Sequence, residues 1–144
     1  MIHSINVFLG FSLLFALVSC TPKPEPINFG KDNCVYCKMG IVDPKYGAEL
    51  VSEKGKVYKF DAIECMLPFM HENTNESYTL FLAVSYDQPT QLFPVDSLYF
   101  VKSEKYKSPM GANIAAFVSK KNAVKEPLKI MNWEQLKDEL NPQP

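Results

Sequence analysis

The sequence contains no arginine: its 15 basic residues are all lysines, set against 16 acidic ones, for a net charge of −1. Those lysines form no basic run, and recognition of nucleic acid depends on clustered cations. Nucleic acid is therefore not an expected partner. Histidine is scarce, with His3 and His71 alone. No catalytic dyad and no glycine-rich phosphate loop is present, which points away from an enzyme. Long hydrophobic runs are missing too. The longest, Val7 to Val18, has 12 residues, whereas a membrane-spanning helix needs about 20.

What is present begins with that short run, which has the length of a signal-peptide apolar region. Leu17-Val18-Ser19-Cys20 follows it, with small or apolar residues leading to a cysteine, the pattern of a lipoprotein signal peptidase site. Cys20 is then the lipidation site, and acyl chains anchor a domain at about 0.8 kcal/mol per buried CH₂. The amino-terminal region departs from the usual pattern, offering only the terminus and His3 where Lys or Arg is common. The expected organisation is a signal peptide over residues 1–19, a lipidated cysteine with a proline-rich tether over 20–31, and a single folded domain over 32–144. Thr21 to Asn28 carries three prolines, a composition that favours an extended, semi-rigid spacer.

Within the domain, Lys38 to Val42, Ala48 to Ser52 and Val57 to Phe60 read as short strands separated by turn residues. Asp61 with Glu64 forms a capping box before a helix with an apolar stripe of Ile63, Met66, Leu67 and Met70, ending near His71. Tyr78 to Tyr86, Leu98 to Lys102 and Ala115 to Ser119 read as further strands, with an irregular loop from Ser103 to Asn113. Leu128 to Met131 is a last strand, and Asn132 with Gln135 makes a second capping box over a helix carrying Trp133, Leu136 and Leu140. Val57 to Glu64 and Leu128 to Gln135 share a plan, a strand running directly into a capped helix. The expected fold class is α+β, with two similar ββαβ-like halves and small antiparallel sheets.

Cys34-Val35-Tyr36-Cys37-Lys38-Met39 places two thiols and a thioether within six residues. Soft sulfur donors select Cu(I), while zinc prefers thiolate and imidazole in a closed tetrahedron and makes little use of methionine. A Cys-x-x-Cys pair also serves redox chemistry and structural disulfides, and those readings stay open. A zinc site would have to combine Cys34, Cys37, Cys65 and His71. Cys65, inside the first helix, reads most simply as a small buried hydrophobe, and His71 as a residue at the helix carboxyl end. Met110 lies off any apolar stripe, in the loop Ser108-Pro109-Met110-Gly111-Ala112, where its thioether is able to close over a metal.

Taken in order, the Leu17–Cys20 site, Cys34 to Ile41, Phe60 to Met66, and Pro109-Met110-Gly111 with Ala115-Ala116-Phe117 resemble the NosL family, lipoproteins of nitrous oxide reductase assembly. The resemblance spans nearly the whole mature chain. It implies Cu(I) as the bound ion, a site centred on Cys37 and Met39 with Met110 as the remote thioether, and Cys34 as an additional thiol. It further implies delivery to nitrous oxide reductase through a membrane ABC-type assembly complex, from a lipid-anchored position on the extracytoplasmic face of the cell envelope. The competing expectation is an extracytoplasmic thiol–disulfide protein using Cys34 and Cys37.

Overall fold

A computed structural model describes residues 21–123 and 129–141. The signal-peptide reading, Cys20 and the start of the strand expected from Leu128 lie outside the described residues.

Strands β1 (Ala48–Ser52) and β2 (Val57–Phe60) form a hairpin that runs into helix α1 (Ile63–Glu72), and β3 (Tyr78–Ser85) and β4 (Gln88–Pro94) complete an antiparallel sheet of order β2-β1-β3-β4. All five residues of β1 are buried, because the strand is flanked on both sides by partners: Ala48 pairs with Phe60 of β2 and Ala83 of β3. A smaller sheet has the order β6-β5-β7, built from β5 (Tyr99–Lys102), β6 (Ile114–Phe117) and β7 (Ile130–Met131). Helix α2 (Lys120–Ala123) precedes β7, and α3 (Trp133–Leu140) follows it.

The fold is α+β with two small antiparallel sheets, as the sequence implies. Each sheet has a central strand (β1, β5) paired with a strand that feeds a helix (β2 into α1, β7 into α3). The third strand follows the helix in the first half and precedes it in the second, so the halves share a spatial plan but differ in chain order. One core joins them: Phe60, Met66 and Leu50 of the first half pack in the same cluster as Phe100, Ile114, Trp133 and Leu136 of the second.

Three local readings are corrected. Lys38 to Val42 is not a strand: it makes one isolated bridge, Asn33 to Gly40, and Lys38 has a φ of 65°. Local bonds of the cysteine loop use the backbone groups that a ladder would need. Strand β4 was not anticipated, because Pro89 and Pro94 argue against a strand. It stands at the sheet edge, where proline is tolerated. The first capping box does not form: Ala62 is the N-cap and no side chain caps the helix, since Asp61 and Glu64 are engaged elsewhere. The second forms as read, Asn132 accepting from the Gln135 N–H and Gln135 from the Asn132 N–H.

The proline-rich segment is docked from Glu25 onward rather than standing free. Ile27 is buried in the core, the Glu25 N–H donates to Glu49 Oε1 at 3.0 Å, and Lys59 Nζ donates to the Pro26 carbonyl at 2.9 Å. Gly47 makes room for this, with φ 128° and a position where a Cβ would lie 3.0 Å from Ile27 Cδ1.

Candidate metal centre

Residues 33 to 40 form a tight loop. The Cys34 N–H donates to the Met39 carbonyl (2.8 Å), the Lys38 N–H to the Cys34 carbonyl (3.0 Å), and the Cys37 N–H points at Cys34 Sγ (3.4 Å). The loop is laced to the corner between β2 and α1. The Val35 N–H donates to the Lys59 carbonyl at 2.9 Å. The Asp61 N–H is directed at the Cys34 sulfur, and the Asp61 carboxylate accepts from the Val42 N–H. That engagement is why Asp61, buried at 4 % exposure, does not cap the helix.

This lacing brings Cys65, on the first turn of α1, to the loop. The Sγ atoms of Cys34, Cys37 and Cys65 lie within 4.8 Å of one another, and all three are free thiols. A metal–thiolate bond is about 2.3 Å for zinc, so a trigonal site of that bond length spaces its sulfurs roughly 4.0 Å apart. The cluster is close to that size. Cys34 and Cys65 are buried, and Cys37 is half-buried.

The three thiols hydrogen-bond to one another and shift in different directions. A hydrogen bond from the Cys65 thiol, then the backbone amides of Asp61, Cys37 and Tyr36, bring the Cys34 thiol down to about 5 against the opposing effect of burial. The Cys65 thiol is pushed up, first by donating to Cys34 and then by burial. Burial first, and the neighbouring Cys34 sulfur next, push Cys37 up as well. The nearby Asp61 carboxyl is raised to about 6 by burial and then by the Cys34 charge. Three neighbouring sulfurs could seat a soft cation, and thiols that ligate a metal do so deprotonated.

Of the residues singled out by sequence, Cys34 and Cys37 are brought together as expected. Cys65 is buried as expected of a small hydrophobe, but it is also the third member of the cluster. A lone cysteine in a helical stripe carries no periodicity that marks it, and only the corner packing reveals it. His71 is exposed at the end of α1 and stands outside the cluster, so a four-ligand zinc site of Cys34, Cys37, Cys65 and His71 is not assembled. Met39 and Met110 are exposed, at 49 % and 42 %. Met39, Asp61 and Pro109 border one open depression of about 590 Å³ beside the cysteine loop, which brings the Met110 loop to the rim on which Met39 stands.

The fold and site together define a class: a small α+β domain whose one grouping of metal-ligating side chains, among the described residues, is a trio of thiols at the junction of a loop, a strand and a helix. The NosL family model matches residues 26–126, and the chain belongs to the NosL family. Its fold is similar to the crystal structure of the copper chaperone NosL from Shewanella denitrificans, with a TM-score of 0.67 and 18 % identity over 80 % of this chain and 96 % of that one. Among curated proteins no match is found.

Proposed function

We propose that this protein is a non-enzymatic Cu(I)-binding chaperone that loads copper outside the cytoplasmic membrane for the copper centres of nitrous oxide reductase. The observation that carries the reading is the three-thiol cluster within 4.8 Å on a fold shared with a copper chaperone. Thiolate supplies the negative charge and softness that hold Cu(I), and a three-sulfur set leaves the low coordination number that suits ligand exchange. Cys34 and Cys37 are donors of this site, and Met39 at the rim and Met110 in the neighbouring loop add thioethers. Thioethers neither protonate nor form disulfides, which suits an oxidising compartment. The acceptor is the reductase, reached through its membrane ABC-type assembly complex, with the protein anchored by lipidated Cys20.

A second reading has one observation in its favour: the lowered Cys34 thiol beside Cys37 also suits a thiol–disulfide protein. Anaerobic titration of the reduced full chain in detergent separates the two. The chaperone reading expects about one Cu(I) per chain, bound in preference to Zn(II) and weakened by Met39→Ala and Met110→Ala. Preference for zinc overturns the copper reading. Silent methionines together with a Cys34–Cys37 disulfide in the resting state replace it with the redox one.

A further inference from the structure

Glu64 stands one residue before Cys65, and its carboxylate turns toward the second half of the molecule. One of its oxygens accepts from the Ser108 hydroxyl and from the Ile114 backbone N–H at 3.4 Å. These two donors lie on either side of the segment that carries Met110. The Ser108 hydroxyl oxygen in turn accepts from the Asn113 N–H at 2.8 Å, and the Gly111 N–H donates to the Ser108 carbonyl at 3.0 Å. The loop is thus a closed turn, made possible by φ values of 82° at Gly111 and 60° at Asn113. Ser108 is buried, while Met110 at the tip is exposed.

The second Glu64 oxygen is buried with no hydrogen-bond partner. Leaving a carboxylate oxygen unpaired away from water costs free energy that a solvent-facing rotamer would avoid. The bonds through the first oxygen hold the side chain there. A carboxylate that joins both ends of a thioether loop to the turn of helix bearing a cluster thiol is placed to govern how that thioether meets the cluster.

We propose that Glu64 is the positioning residue of the metal centre, its carboxylate clamping the Met110 loop against the first turn of α1 so that the Met110 thioether is presented to the cysteine cluster. The inference rests on the Cu(I) reading above. Glu64 does not touch the metal. A tie serving only to join the two halves would change stability and leave the metal affinity of the folded protein unaltered, whereas a positioning clamp acts through Met110.

The test uses the reduced full chain in detergent, with Cu(I) competition against a chromophoric Cu(I) chelator and amide exchange across residues 105–114. Glu64→Ala is expected to weaken Cu(I) binding about tenfold, the worth of one or two lost hydrogen bonds, and to match Met110→Ala. The double variant should be no weaker than either single one, because both remove the same interaction. Glu64→Gln, whose amide oxygen accepts the same two bonds, should stay within about threefold of wild type. Wild-type affinity in Glu64→Ala, or single effects that multiply in the double variant, overturns the proposal. If the wild-type chain binds no Cu(I), the metal reading itself has failed, and exchange still decides the clamp. Asn113 and Ile114 amides should exchange about tenfold faster in Glu64→Ala and not in Glu64→Gln. Unchanged exchange overturns it.

Discussion

At the scale of the residue, the molecule gives neighbouring groups very different chemistry by controlling what each one faces. Cys34 receives three backbone amides and a thiol, while Cys65, in the same cluster, donates to Cys34 and is pushed up by that bond and by burial. A buried hydrophobe at position 65 would tolerate serine with little effect on metal binding. A third ligand would not. Cys65→Ser is therefore expected to lower Cu(I) affinity at least tenfold, about 1.4 kcal/mol or more, and Cys34→Ser at least as much as Cys37→Ser, in competition titrations. Wild-type affinity in Cys65→Ser returns it to the role of core filler. Glu49, fully buried in β1, shows the opposite kind of control. Burial lifts its carboxyl from an ordinary 4.5 to about 7, against the lowering effects of the Glu25 N–H and Lys59 and with Glu25 and Asp32 adding to the rise. The folded chain thus holds a proton that the unfolded chain has released between those values, so stability falls as pH rises from about 4.5 to 7 and stays reduced above. The shift corresponds to at most about 3 kcal/mol. Glu49→Gln should flatten this slope and be more stable than wild type at pH 8 in urea unfolding, with no such gain at pH 5. An unchanged slope means Glu49 is not its source.

At the scale of the element, intrinsic signals succeed where tertiary structure makes no competing demand. The strands Ala48–Ser52 and Val57–Phe60 match their apolar and β-branched content residue for residue, and α3 begins at the Asn132 box that its sequence spells. The same box at Asp61 and Glu64 fails because both carboxylates have partners in other parts of the molecule, Asp61 at Val42 and Glu64 at Ser108 and Ile114. A capping side chain is worth about 1 kcal/mol. Asn132→Ala is accordingly expected to lower unfolding free energy by about that amount, read from the urea midpoint at constant slope, whereas Asp61→Ala has no cap to lose and should act through the cysteine loop. Equal loss of helix stability in both would contradict the observed caps.

At the scale of the whole molecule, the proline-rich segment packs on the first sheet, whose strand β2 also holds the cysteine loop. Residues 25–27 are docked on β1 and β2, so a lipid on Cys20 would hold the domain through a short spacer of four residues, Thr21 to Pro24. Cys20→Ala should release the protein from membranes in cell fractionation while leaving Cu(I) affinity unchanged; retention in the membrane fraction would rule out lipidation there as the anchor. Among the described residues no helix is long and apolar enough to cross a membrane. The sequence by itself determined the α+β class, the principal strands and the carboxyl-terminal cap, because propensity, periodicity and capping chemistry act over a few residues. It also placed Cys34 and Cys37 together, since they stand three residues apart in one tight loop. Only the tertiary structure decided that Cys65 joins them, that Asp61 serves the cysteine loop, and that Glu64 reaches the Met110 loop some 44 residues away. Those pairings depend on how β2 and α1 meet the loop and the second sheet, a packing choice made by a shared core that no short stretch of sequence contains.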